Sequence, residues 1–118
     1  MKKYKSVLLT SILFLSSPLL AQTAHIENKI IKQVRVIGDY SGTTYDNSVE
    51  LWFTTPISWP SNINCTNTDR VYIDAKHTHI VSAAYMALAS EKTVNFDADD
   101  QLPNRSGSCE ISFLDVLK

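Results

Sequence analysis

The sequence predicts a mainly β domain with one short helix and one disulfide, in the order β-β-β-α-β-β. Several short segments alternate between apolar and polar residues, which is typical of strands that bury one face. The segment after Thr78 instead repeats its apolar residues at the spacing of an α-helix. Cys65 and Cys109 are the two cysteines. Such a pair in a small exported domain favours one disulfide, with free or intermolecular thiols as the alternatives.

Residues 1–21 have the organisation of a signal peptide. Lys2, Lys3 and Lys5 form a positive start, Val7–Leu15 is a short apolar core, and Ala21 offers a small residue for cleavage. The apolar run is too short for a stable membrane anchor, and a buried N-terminal helix is the alternative. We therefore expect an exported protein, periplasmic or secreted, without membrane insertion.

The charge balance of the exported part argues against two classes of partner. Removing the leader and its three lysines leaves 97 residues, with 8 Lys and Arg against 12 Asp and Glu, a formal net charge of −4. A nucleic-acid-binding surface needs a basic stripe, and simple attraction to anionic lipid needs a basic patch. We expect neither partner.

The first two strands are predicted on either side of a polar turn. Residues 22–28 form a flexible lead-in in this interpretation, and the single domain covers 29–118. The segment 29–40 begins with interleaved β-branched and charged residues, which favours a strand. In the segment 49–53, alternation places Val, Leu and Phe on the buried face and leaves Glu50 and Trp52 facing outward.

The third strand and the helix follow a long irregular stretch, 54–69. The strand is predicted over 70–75 from its alternation, with Val71, Ile73 and Ala75 facing inward. Thr78 is predicted to cap the helix. The helix should end near residues 90–92, without a glycine to stop it. Its predicted buried stripe consists of Val81, Ala84, Tyr85 and Leu88.

Two further strands complete the pattern. The segment 93–98 should bury its Val and Phe, and 109–118 should bury Cys109, Ile111 and Phe113. Five strands with one helix between the third and the fourth have the element order of an OB-like Greek-key barrel. A small α+β sandwich is the alternative.

This pattern resembles a known group of bacterial proteins. The chain combines an exported leader, this element order, the helix segment "SAAYMALASEKTVNF" and a cysteine at the last strand. It resembles the small secreted OB-fold proteins that include the B (binding) subunits of pentameric toxins such as subtilase cytotoxin. The resemblance covers residues 65–118, contains no diagnostic motif, and has Glu91-Lys92 where Gly-Lys is expected. It implies glycan binding by a homopentamer, although no sugar-binding residue can be carried over.

Candidate metal ligands are explained more simply as solvated side chains. His77 and His79 lie at the start of the predicted helix, where their directions diverge, and a metal site needs at least a third ligand. Asp97, Asp99 and Asp100 could suggest calcium, but the chain lacks the glycine and the glutamate that an EF-hand loop needs. We expect no metal and no cofactor.

The sequence also lacks a recognisable catalytic motif. It contains neither the G-x-S-x-G nucleophile motif nor the H-E-x-x-H zinc motif. A pair of carboxylates for glycoside hydrolysis remains possible, but a domain of this size has little room for both a core and a deep cleft. We therefore expect no enzyme activity, and a small hydrolase is the least favoured alternative.

Aromatic and polar residues instead favour a binding surface. OB barrels bind ligands near strands two and three, and aromatic rings beside hydroxyl groups suit a sugar or a protein partner. The interpretation is a secreted, non-catalytic domain that recognises a glycan or a protein surface, with assembly into a homo-oligomer as one option. A periplasmic inhibitor or partner of an enzyme is the main alternative, and the same aromatic residues could also simply pack over the barrel. The candidate ligand-binding residues are Tyr40, Ser41, Tyr45, Trp52 and Trp59.

Overall fold

The computed structural model describes residues 22–118 as five strands and one helix. The predicted signal peptide, 1–21, lies outside the described residues. The predicted order β-β-β-α-β-β is confirmed. The elements are β1 (Thr23–Ile37), β2 (Ser48–Phe53), β3 (Arg70–Asp74), α1 (Thr78–Ser90), β4 (Thr93–Asp99) and β5 (Glu110–Val116).

The strands form one sheet that closes on itself in the order β1-β2-β3-β5-β4. The long first strand makes this closure possible, because its first half pairs with β4 and its second half pairs with β2. Its register shifts between Ile26 and Lys29, where Asn28 has a φ of 58°. Such a bulge bends a strand and increases its twist. The weakest junction is the parallel contact of β3 and β5, which pairs Tyr72 with Glu110.

The prediction of a flexible lead-in at 22–28 is wrong. Residues 23–28 belong to β1, and Ala24 and Ile26 are buried against the core. This segment does alternate, but with only two apolar positions the pattern is too short to predict a strand. Pairing with β4 supplies the backbone partners that make this segment a strand.

The helix occupies the predicted segment, but its start and one residue of its predicted buried stripe differ. It begins at Thr78, and its N-cap residue is His77, whose side chain makes no capping hydrogen bond. The buried positions are Ile80, Ala84 and Ala87, whereas Tyr85 is 42% exposed. The helix packs against β1 and β5 through aliphatic side chains, and Tyr85 lies outside this contact. Val81 and Leu88 pack against the core as predicted, so Tyr85 is the one member of the predicted stripe that faces outward.

The helix ends without glycine because Glu91 adopts the left-handed conformation itself. Its φ is 54°, and the backbone N–H of Glu91 lies 3.4 Å from the Leu88 carbonyl oxygen. The N–H of Lys92 donates to the Ala87 carbonyl at 3.1 Å. These bonds satisfy carbonyl groups that have no partner within the helix.

The barrel interior contains most of the residues that the alternation predicted. Phe53 and Phe96 stack at 5.2 Å between ring centroids. There are two exceptions: Ala75 is only half-buried and follows the end of β3, and Phe113 is 39% exposed. The pairing of β4 and β5 shifts register between Asp97 and Ala98, which turns Phe113 outward. Residues confirmed as buried are Val49, Leu51, Phe53, Val71, Ile73, Val94, Phe96, Cys109 and Ile111.

The predicted disulfide is confirmed. Cys65 and Cys109 are bonded, with their Cα atoms 5.5 Å apart, and both residues are buried. The bond joins the irregular segment 54–69 to the start of β5, at the end of the loop 100–109. Among residues 22–118, no helix has the length and apolar character that crossing a membrane requires.

Candidate functional site

The outer face of β1, β2 and β3 contains a cluster of alternating charges. Arg35 on β1 lies opposite Glu50 on β2, and Trp52 on β2 lies opposite Arg70 on β3. Because successive side chains of a strand point to opposite faces, all four side chains belong to the side of the sheet away from the core. Cross-strand neighbours on one face lie close enough to interact directly.

Glu50 is the buried centre of this cluster. Its side chain is 3% exposed, and its Oε2 atom accepts from Arg35 Nη1 at 3.4 Å and from Trp52 Nε1 at 3.3 Å. Its Oε1 atom lies 3.4 Å from Arg70 Nε, which is itself buried and has no hydrogen-bond partner. A buried carboxylate requires such cationic neighbours to remain charged. These contacts are long for charge-assisted hydrogen bonds. The opposite charges are therefore paired, but each individual hydrogen bond is weak.

Trp52 connects the two arginines through its ring. The guanidinium carbon of Arg35 lies 5.3 Å from the centroid of the indole, and that of Arg70 lies 4.9 Å from it. Both distances fall within the range of cation–π attraction. Trp52 therefore fixes the positions of both guanidinium groups around the Glu50 carboxylate.

A cavity of about 310 Å³ opens above this cluster. Two of its walls are tyrosines from the loop 38–47, which connects β1 to β2. Tyr40 is 58% exposed, whereas Tyr45 is half-buried. The cavity combines two phenol rings, two guanidinium groups and one carboxylate. Its lining residues are Arg35, Ile37, Tyr40, Tyr45, Glu50 and Arg70.

The structure brings three of the five predicted ligand-binding residues together. Tyr40 and Tyr45 line the cavity, and Trp52 contacts two of the lining arginines. Ser41 lies in the same loop and is exposed, but it does not line the cavity. Trp59 lies elsewhere, because its ring packs against the core and its Nε1 donates to the Asn67 carbonyl at 2.8 Å.

Sequence reasoning missed the charged residues of the cavity. Arg35, Glu50 and Arg70 all occupy outward positions of predicted strands, where a charged residue normally signifies solvent. The available signal was the alternation of charge across three consecutive strands, with arginine on β1 and β3 and glutamate on β2. Detecting it required the pairing register, which places Arg35 against Glu50.

Tyr72, the cross-strand neighbour of Glu50, is buried beneath the loop 100–109. Its hydroxyl donates to the Pro103 carbonyl, and the guanidinium carbon of Arg105 lies 4.7 Å from its ring. Burial, followed by the nearby Glu110 carboxylate, raises the pKa of Tyr72 to about 12. Tyr72 is thus a neutral structural residue that supports the loop.

The histidines lie in two separate places. The rings of His77 and His79 are 6.1 Å apart and edge-to-face at the start of α1. His25 on β1 contacts Asp97 on β4, with 2.5 Å between Nδ1 and Oδ1, and its Nε2 lies 3.4 Å from Glu27 Oε1. Within residues 22–118, no three His, Cys, Asp or Glu side chains form a group that could hold a metal ion.

Comparison with known proteins finds no matching family model, no significantly similar curated protein and no significantly similar solved structure.

Proposed function

We propose that this chain is an exported, non-catalytic binding domain with an OB-type barrel, and that it binds a glycan in the cavity of Tyr40 and Tyr45. The closed strand order with α1 between β3 and β4 supports the OB-type assignment. Barrels of that type bind oligosaccharides at the second and third strands and at the loops beside them. The cavity lies at this position, and its composition is the observation on which the proposal depends.

The lining residues suit a sugar. Tyrosine rings offer apolar area to the C–H face of a sugar ring together with a polar hydroxyl group. Arg35 can donate hydrogen bonds to the hydroxyl groups of a sugar, and the enclosed Glu50 carboxylate pairs with Arg35 from beneath. The side chain of Arg35 is 52% exposed, so a ligand can reach it. The cavity volume of about 310 Å³ lies at the small end of the usual range for ligand pockets.

A glycan array with the mature protein tests this proposal. We expect binding that Tyr40→Ala weakens by about tenfold, since the variant loses one stacking ring. Tyr85→Ala is the matched control, because Tyr85 is also an exposed tyrosine but lies on α1, outside the cavity. Absence of binding to any glycan, or equal weakening by both variants, would reject the proposal. A stable complex with a co-purified enzyme and no sugar binding would favour the inhibitor alternative.

We propose further that several copies assemble, as the resemblance to toxin binding subunits implies. Native mass spectrometry of the mature protein tests this part independently. A strict monomer at micromolar concentration would contradict assembly and would leave the cavity proposal intact.

A further inference from the structure

The loop 38–47, which carries both cavity tyrosines, is organised around Asp46. The Asp46 Oδ1 atom accepts from the Tyr40 backbone N–H at 2.6 Å. At the base of the loop, the N–H of Asn47 donates to the Gly38 carbonyl at 2.8 Å. The position of Tyr40 therefore depends on the position of Asp46.

Arg105 holds Asp46 from outside the loop. Its Nη1 atom donates to the Asp46 carbonyl at 2.7 Å, and its Nη2 atom lies 3.5 Å from Asp74 Oδ2. Its guanidinium also lies over the Tyr72 ring. The Ser48 hydroxyl at the start of β2 also donates to this loop, to the Tyr45 carbonyl at 2.6 Å, whereas Arg105 reaches it from the loop 100–109, which is distant in sequence. A planar guanidinium suits such a junction, because it donates in several fixed directions and stacks on an aromatic ring.

Arg105 is itself firmly held. It opens a tight turn in which Arg105 and Ser108 exchange two backbone hydrogen bonds of 3.0 Å. Ser106 and Gly107 have φ values of 53° and 80°, the positive values that a two-residue type I′ turn requires.

The turn is fixed to the segment 54–69 on its other side. The Gly107 carbonyl accepts from the N–H groups of Thr66 and Asn67, at 3.1 and 2.8 Å. A Cβ atom at Gly107 would lie 2.3 Å from Thr66 Oγ1, so a side chain does not fit. The adjacent disulfide of Cys65 and Cys109 joins the same two segments covalently.

We propose that Arg105 is a positioning residue for the binding site: it acts through Asp46 to hold Tyr40 over the cavity. The expected effect of Arg105 on ligand affinity rests on the proposed function. The effect of Arg105 on the position of the loop 38–47 does not depend on a ligand. A preformed site avoids the cost of ordering a loop on binding, so loss of Arg105 lowers affinity without removing any group that touches the ligand.

Hydrogen exchange followed by NMR tests the effect on the loop 38–47 without a ligand. Arg105→Gln removes the charge and the Asp46 contact, and we expect the Tyr40 and Asn47 amides to exchange about tenfold faster. The Phe96 amide, in the centre of β4, should be unaffected. Lys92→Gln, which removes one positive charge beyond the end of α1, is the matched control and should change none of these rates.

Arg105→Lys separates the geometry of the guanidinium from its charge. We expect this variant to lie closer to Arg105→Gln than to the wild type, because lysine cannot bridge Asp46 and Asp74 while stacking on Tyr72. If Arg105→Gln does not fold, the lysine variant provides the same local comparison. Unchanged exchange at Tyr40, or a uniform increase that includes Phe96, would overturn the proposal.

A glycan identified on the array supplies the second measurement. Arg105→Gln should weaken its binding severalfold, and the dissociation constant should recover in part with lysine. If no glycan binds but Tyr40 exchange still accelerates, the proposed function fails while Arg105 retains its positioning role. If a glycan binds with equal affinity to the wild type and to Arg105→Gln, the positioning proposal fails and the cavity proposal stands.

Discussion

Two faces of the same barrel contain charged pairs across neighbouring strands, yet they have different properties. On the face of β1, β2 and β3, the Glu50 side chain is 3% exposed and lies among Arg35, Arg70 and Trp52. On the face of β1, β4 and β5, the side chains of His25 and Asp97 are 45% and 22% exposed. The two pairs differ in burial, because long side chains enclose Glu50, whereas His25 stays 45% exposed beside the Phe113 ring, whose centroid is 6.1 Å away. The same cross-strand pattern therefore produces a buried charge cluster on one face and a solvated pair on the other, although His25 also lines a cavity, of about 410 Å³.

The disulfide joins the segment 54–69 to the end of the loop 100–109, which lies over Tyr72. Its removal should cause the largest loss of stability. The chain-entropy model assigns about 4 kcal/mol to a closed loop of this length, which spans a sequence separation of 44 residues. We expect the double variant Cys65→Ala, Cys109→Ala to lose roughly that free energy of unfolding in a urea titration. Hydrogen exchange should also accelerate more at Tyr72, beneath the loop 100–109, than at Phe96 in the centre of β4.

A loss below about 1 kcal/mol in this titration would be far from the chain-entropy value. Packing and hydrogen bonds would then be sufficient to hold the loop 100–109 in place. Reduction of the wild type by a thiol, with the double variant as reference, separates loss of the bond from loss of the buried sulfur atoms.

Glu50 provides the most direct comparison of the two faces. Glu50→Gln keeps the shape of the side chain but leaves the largely buried Arg70 without a counterion. Breaking a buried ion pair costs about 3–5 kcal/mol. The long contacts here and the 52% exposure of Arg35 reduce the expected loss to roughly 2 kcal/mol.

Asp97→Asn is the matched control on the open face. It also converts one carboxylate to an amide, but its partner His25 is solvated, so the loss of stability should be clearly smaller. Urea unfolding of both variants under identical conditions measures the difference. Equal losses would mean that burial does not distinguish the two faces.

The sequence was sufficient for the element order and for most of the barrel interior. The alternation in β2 and β3 correctly identifies the residues that face the core, but it does not show that Glu50 and Tyr72 on the other face are buried as well. It fails for Phe113, whose direction depends on a register shift in the pairing with β4. It also fails for Tyr85, because how far the buried face of the helix extends depends on its packing against the sheet, which the helix sequence alone does not show.

The candidate site was predictable only in its aromatic part. Tyr40 and Tyr45 were identified because tyrosines in a loop are conspicuous, and Trp52 because alternation placed it outward. The burial of Glu50 depends on side chains from β1 and β3, so its own strand contains no sign of it. Arg105 was not identifiable either, because its role depends on the contact between the loops 38–47 and 100–109, which are distant in sequence.

The smallest expected effect concerns His25 and its dependence on pH. The hydrogen bond to Asp97, with added attraction from Asp97, Glu27 and Asp115, raises the pKa of His25 above 6.5 against the opposing effect of desolvation. A raised pKa means that the folded state binds the proton more tightly. The stabilisation is therefore fully present below about pH 6.5 and is lost as the pH rises through the folded-state pKa.

Melting temperatures of the wild type and His25→Gln, measured from pH 5 to pH 9, test this sign. The difference between the two proteins should be largest at acidic pH and should disappear at alkaline pH. NMR titration of the His25 ring should show a pKa that falls in Asp97→Asn, because the first cause of the shift is removed. High salt should weaken the effect, since the pair is exposed. A difference in melting temperature that grows with pH would contradict the assignment and with it the view of the open face as a solvated ion pair.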